Sequence, residues 1–124
     1  MFLEIAIGDA YGAGFEFSLR QKIIKYNSGT HYAPTHFGVP KGHYTDDTQM
    51  SIAIAEMLLA DIEFNPSHCA HAFVHTFKRD PRKGYARQFH SLLQACQNGT
   101  DLLQKIRPNS IRNGAAMRSV PLGF

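Results

Sequence analysis

The chain has 124 residues, of which 44% are hydrophobic, 11% aromatic and 19% charged. That is too apolar for a disordered chain and suffices for one compact domain over residues 1–124. Thirteen Lys and Arg against ten Asp and Glu leave a net charge of +3, too mild and dispersed for a specific nucleic-acid footprint.

Apolar spacing is helical almost throughout, which predicts an all-α fold. A short first helix is expected from Leu3 to Ala10. The opening MFLEIAIGDA has no basic leader and carries Glu4 and Asp9, against a secretory signal. Next comes Gly8-Asp9-Ala10-Tyr11-Gly12-Ala13-Gly14-Phe15-Glu16. Its glycines permit close backbone approach to a ligand, with Glu16 just beyond them, and a glycine-rich helix contact explains them equally well. It is not a G-x-G-x-x-G fingerprint after a strand, so a dinucleotide fold is excluded. From Tyr26 to Tyr44 no period survives Gly29, Pro34, Gly38, Pro40 and Gly42, which predicts a long ordered loop. His31, His36 and His43 on it receive no role.

The second helix runs from Asp46 to Ala60, with Met50, Ala53, Ile54, Met57 and Leu58 on one stripe. Thr45-Asp46-Asp47-Thr48 enters it. Two adjacent carboxylates and a hydroxyl within one turn suit a hard ion such as Mg²⁺ or Mn²⁺, whereas ordinary helix capping needs only one of them. The apolar run from Met50 to Ile62 is broken by Ser51, Glu56 and Asp61, so no membrane span is expected. A third helix opens at Asn65-Pro66 and turns Ala70, Phe73, Val74 and Phe77 inward. His68, His71 and His75 share its other face. Ala72 stands where a zinc protease needs glutamate, so that face is read as solvated.

A helix from Gly84 to Gln97 buries Tyr85, Phe89, Leu92, Leu93 and Cys96, and Asn98-Gly99 stops it. Cys69 and Cys96 form neither a disulfide framework nor a zinc cluster unaided, and are read as reduced and partly buried in a cytoplasmic protein. Short helices are expected at Thr100 to Ile106 and Gly114 to Ser119. Between them, Pro108 to Arg118 is a polar loop feeding a small-residue helix start. It can offer backbone N–H groups to phosphate, or be a tight turn before a packed helix.

Three segments in register, GDAYGAGFEF, GHYTDDTQM and NSIRNGAAMRSVPLG, resemble the ADP-ribosylglycohydrolase family, including its dinitrogenase-reductase-activating members. The intervening DPRKGYARQF also looks like segments of some members. The resemblance spans nearly the whole chain and implies the N-terminal portion of an orthogonal multi-helix fold. It further implies a dinuclear Mg²⁺ or Mn²⁺ hydrolase that cleaves ADP-ribose from an acceptor. On the family pattern Thr45, Asp46 and Asp47 are metal ligands, Glu16 is the carboxylate near the scissile ribose, and Ser110, Asn113 and Gly114 line the ADP-ribose site.

Longer members add an Asp-x-Asp-Thr/Ser motif, which no residues here match; Asp61, Asp80 and Asp101 are isolated. The expectation is therefore a glycohydrolase-like chain, incomplete or inactive alone, that pairs with itself or with a complementary C-terminal chain. The alternative is a catalytically dead ADP-ribose-binding or interaction module.

Overall fold

A computed structural model describes residues 2–36 and 38–123. These form seven α-helices and a closing 3₁₀ turn, with no strand among the described residues. In chain order the helices are α1 (Phe2–Gly12), α2 (Arg20–Tyr26), α3 (Asp46–Leu59), α4 (Pro66–Arg79), α5 (Arg87–Ala95), α6 (Gly99–Lys105) and α7 (Gly114–Met117). The 3₁₀ turn is Val120–Gly123. The expected all-α fold is the one observed.

The core lies where α4 packs between α3 and α6. Met50 from α3, Ala70, Val74 and Phe77 from α4, Leu93 from α5 and Leu102 from α6 are all buried there. Burying side chains of this size stabilises a fold by about 1.5–3 kcal/mol each, so this layer fixes the helices that carry the polar residues. Capping sets the helix starts. Asn65 accepts from the His68 N–H at 2.9 Å with Pro66 at the first turn, and Asn98 accepts from the Asp101 N–H at 3.0 Å.

Several boundaries differ from the sequence reading. Helix α2 lies where none was expected; with its last residue at Tyr26, it precedes the long loop and buries no side chain fully. Without a buried apolar stripe it leaves no periodic signal. The helix expected from Gly84 begins only at Arg87. Tyr85 and Cys96 are buried from just outside its two ends, the first with its hydroxyl bonded to Gln49 and the second as the C-terminal cap. Leu58, assigned to the inward stripe of α3, is instead 42% exposed near the C-terminal end of that helix.

The chain after α2 is tied to α1 and to Gly14 at Asn27, Gly29 and Ala33. Tyr11 donates its hydroxyl proton to Asn27 Oδ1 at 2.8 Å and accepts the Gly29 N–H at 2.7 Å. Ala33 is buried against Gly14, where an added Cβ would lie 2.8 Å from that of Ala33. Of the two readings of the glycine-rich segment, Gly14 thus makes a backbone–loop contact. His68, His71 and His75 are exposed on α4, as expected of a solvated face. No helix among the described residues is long and apolar enough to cross a membrane.

Candidate active site at the start of α3

The polar centre is the N-terminus of α3, and its organiser is Asp9. The Asp9 carboxylate accepts four hydrogen bonds: the N–H and hydroxyl of Thr45, at 2.7 Å each, and the N–H and hydroxyl of Thr48, at 3.1 and 2.6 Å. A carboxylate so placed satisfies orphan helix donors and complements the positive end of the helix dipole. It also fixes the hydroxyl of Thr45. With that proton committed to Asp9, the Thr45 oxygen presents only lone pairs elsewhere. Sequence reasoning placed Asp9 in the glycine-rich segment and assigned it nothing. The available signal was an acidic residue at the otherwise apolar C-terminal half of a helix.

Asp46 and Asp47 follow on the first turn. Asp46 is half-buried and donates its N–H to the Lys83 carbonyl at 3.1 Å. Asp47 is exposed. Burial chiefly, then the charge of Asp47, and further the charges of Asp9 and Glu16, push the Asp46 carboxyl from the ordinary 3.8 up to about 7. The Asp47 carboxyl is also raised, by burial first, then by Asp9 and Glu16, and Arg118 opposes the rise. Glu16, exposed just after α1, is thus near enough for its charge to act on both aspartates. The charges of Asp9 and Glu16 thus add to those of Asp46 and Asp47 at one helix start, and Arg118 acts against the two adjacent aspartates.

Two elements outside α3 shape this site. The first is the Asp80–Gly84 turn. Arg82 pairs with Asp80 and its guanidinium covers the Tyr44 ring at 4.0 Å, while Tyr44 donates to Asp80 at 2.9 Å. The buried Gln49 side chain ties this turn to α3 by donating to the carbonyls of Thr76 and Asp80, at 3.3 and 2.5 Å, and accepts the Tyr85 hydroxyl at 2.7 Å. Gly84 then lies flat against the site with φ +108, where an added Cβ would fall 2.1 Å from Asp46 Oδ1 and 2.8 Å from Thr45 Cβ. Only glycine fits that backbone and that gap.

The second element is α7. Ser51 donates to the Asp47 carbonyl at 2.9 Å and reaches the Met117 carbonyl at 3.3 Å, which docks α7 on α3. Arg118 follows α7, half-buried, with its guanidinium 4.9 Å from the Phe73 ring centre and 5.7 Å from that of Phe89. Its Nε is buried without a hydrogen-bond partner. Burial lowers its affinity for its proton, and the charges of Asp46 and Asp47 oppose that.

Ser110 and Asn113 are exposed on the preceding loop and Gly114 is half-buried at the start of α7. Ser110 accepts the Arg112 N–H at 3.1 Å, and the Asn113 side chain makes no capping bond. Their route to the carboxylates runs through α7 and Arg118, whose guanidinium a Cβ on Gly114 would meet at 3.0 Å.

The donors at the start of α3 are all oxygens, which fits a hard dication rather than zinc. Their convergence is incomplete: among the described residues no three His, Cys, Asp or Glu side chains form a group that could hold a metal ion. The set therefore fits part of a metal site, two carboxylates and an oriented hydroxyl.

Comparison with known proteins bears on this arrangement. The chain is 34% identical over 83 residues to the human ADP-ribosylhydrolase ARH3, covering 61% of the chain and 23% of that protein. It is 32% identical over 130 residues to the ADP-ribosyl-[dinitrogen reductase] glycohydrolase of Rhodospirillum rubrum, covering 97% of the chain and 41% of that protein. The chicken ARH3 is 29% identical over 137 residues, covering 95% of the chain and 37% of that protein. The chain thus spans well under half the length of these relatives. No solved structure matches it significantly. The family model for ADP-ribosylglycohydrolase matches residues 3–124, a span that takes in α1, the start of α3 and the loop before α7, and the chain belongs to that family.

Proposed function

We propose that the chain forms part of a hydrolase that cleaves the glycosidic bond between ADP-ribose and an acceptor. The observation that supports this best is the adjacent pair Asp46 and Asp47 at the start of α3, within range of the charge of Glu16, with Asp46 pushed up to about 7 by burial and like charge. Such a concentration of negative charge is what a bound dication relieves. Thr45, Asp46 and Asp47 would hold it, Mg²⁺ or Mn²⁺ by their chemistry. When bound, such an ion polarises oxygen ligands and lowers the pKa of bound water.

The chain's own residues do the rest in this reading. Asp9 orients the Thr45 oxygen, and Gly84 leaves the Asp46 carboxylate its room. The bond from the anomeric carbon to the acceptor breaks through an oxocarbenium-like state and water adds to that carbon. The exposed Glu16 carboxylate takes the proton of the water and returns it to the departing acceptor. Ser110, Asn113 and Gly114 offer a hydroxyl, an amide and a backbone N–H to the ADP-ribose. Two carboxylates and one hydroxyl hold one ion loosely, so the 124 residues alone are expected to turn over slowly.

Calorimetric titration of the chain with Mn²⁺ and with ADP-ribose tests the reading. Weak Mn²⁺ binding that Asp46→Asn or Asp47→Asn removes, and ADP-ribose binding that Asn113→Ala weakens, are the expected results. Failure to bind ADP-ribose under any metal condition would sink it. The second reading, an ADP-ribose-binding module without hydrolysis, draws on the incomplete convergence of the acidic side chains. ADP-ribose affinity indifferent to Mn²⁺ and to Asp46→Asn would select it.

A further inference from the structure

Residues 17–45 contain no Asp or Glu, yet include Arg20, Lys22, Lys25 and Lys41 and three histidines. This acid-free stretch is flanked by Glu16 and by Asp46-Asp47, so positive and negative groups are segregated within one region of the chain. Repulsion alone would splay such a segment, and it is instead built into a concave surface.

A cavity of about 360 Å³ opens between the end of α2 and the following loop, lined by Lys25, Tyr26, Ser28, His31, Tyr32 and Lys41 among others. Lys25 comes from α2 and Lys41 from the far side of the loop, so the two basic residues line the cavity from different elements. The loop is pinned at several points. Lys22 donates to the Pro34 carbonyl at 2.6 Å, Ser28 and Thr30 share a hydrogen bond at 2.9 Å, and the Tyr11 hydroxyl bridges Asn27 and Gly29. Tyr11 lies two residues after Asp9 on α1 and its ring packs 6.4 Å from that of Tyr32. The cavity and the carboxylate site therefore share one rigid support.

We propose that this cavity binds an acidic segment of a polypeptide. Its lining offers cations and hydroxyls and no anion. Base stacking is poorly served, because the Lys25 ammonium sits over the Tyr26 ring at 5.0 Å and Gly42 covers Tyr32, a Cβ there falling 3.2 Å from the ring. Carboxylates spaced along an extended chain match a lining that carries one lysine on each side. The inference rests on the proposed function only in naming that polypeptide as the acceptor from which ADP-ribose is removed.

The test is fluorescence anisotropy of a labelled glutamate-rich decapeptide and of its glutamine counterpart, titrated with the 124-residue chain. The acidic peptide is expected to bind about tenfold tighter than the glutamine peptide, and Lys25→Gln/Lys41→Gln to lose about tenfold of that affinity. Tyr26 and Tyr32 resonances should shift on peptide addition and not on addition of ADP-ribose. Equal binding of the two peptides, unchanged affinity in the double variant, or displacement of the peptide by ADP would each overturn the proposal. Both lysines are exposed, so the variant is expected to keep its circular dichroism. Loss of ADP-ribose binding beside retained peptide binding would refute the proposed function and leave this site standing.

Discussion

Asp9 on α1 takes both the N–H and the hydroxyl proton of Thr45 on a single carboxylate, at 2.7 Å to each oxygen. This pairing, repeated with Thr48, is the joint between α1 and α3. Removing it leaves two N–H groups and two hydroxyls partly buried without an acceptor. Asp9→Ala is therefore expected to lower stability by about 1.5–3 kcal/mol, the range for hydrogen bonds to a charged group. Asp9→Asn keeps one acceptor oxygen and should lose about half as much. Urea unfolding of the two variants measures both, and near-wild-type stability of Asp9→Ala would refute the joint.

Gly84 gives a sharper geometric expectation. Its missing Cβ is the space that Asp46 Oδ1 occupies, and its φ of +108 disfavours every other residue. Gly84→Ala must displace either the carboxylate or the turn that Gln49 anchors. A stability loss of about 1–3 kcal/mol is expected, together with loss of Mn²⁺ binding at the start of α3. A variant that binds Mn²⁺ as the parent does would show that the carboxylate position is immaterial.

Much of this arrangement was legible in the sequence, and for identifiable reasons. Helices α3 and α4 announce themselves because apolar residues recur at helical spacing and Asp46 and Asn65-Pro66 mark their starts, although the residue that caps α3 is Thr45 and Asp46 is its first helical residue. Helix α2 does not, since it buries no residue fully. The three-segment resemblance singled out Glu16, Thr45, Asp46 and Asp47, and the charge of Glu16 is felt at both aspartates. Asp9, Gly84 and Arg118 escaped assignment because their importance is a contact across the fold. A carboxylate that caps a helix thirty-six residues away leaves no local pattern.

The acid–base behaviour of Asp46 predicts an unusual pH profile for the metal-free chain. Its folded pKa, about 7, lies above the ordinary 3.8. The folded state therefore holds a proton that the unfolded state has released, and stability falls as pH rises from about 4 to 7. The groups acting on it are Asp47, Asp9, Glu16, Tyr85 and Arg118. Asp80 has the opposite sign, held down by Arg82, and its stabilisation is lost only below about pH 4, outside this window. Thermal unfolding in EDTA is expected to show about 1–2 kcal/mol less stability at pH 8 than at pH 5, solvent screening included. Asp46→Asn should flatten the profile. A parent protein equally stable at both values would show that Asp46 ionises freely.

Arg118 sits on the other side of that balance. Its guanidinium is held against Phe73 and Phe89, leaves Nε buried and unpartnered, and acts electrostatically on Asp46 and Asp47. Replacement by methionine fills a similar volume, keeps the contact with the two rings and removes a costly buried charge. What it also removes is a cation opposing the charges of Asp46 and Asp47. The two effects dominate at different pH. At pH 5, with Asp46 protonated, relief of the buried charge should leave Arg118→Met as stable as the parent or more so, by up to about 1 kcal/mol. At pH 8 the uncompensated carboxylates should make the same variant less stable than the parent. A dication, no longer repelled by the guanidinium, should then bind about threefold to tenfold tighter, and saturating Mn²⁺ should restore stability at pH 8. Arg118→Lys keeps the charge and should not reproduce the change in Mn²⁺ affinity, although it weakens the ring contacts. Unfolding at the two pH values, with and without Mn²⁺, reads all of these signs. If Arg118→Met destabilises equally at both and leaves Mn²⁺ affinity unchanged, Arg118 is a packing residue and the carboxylates at the start of α3 do not depend on its charge.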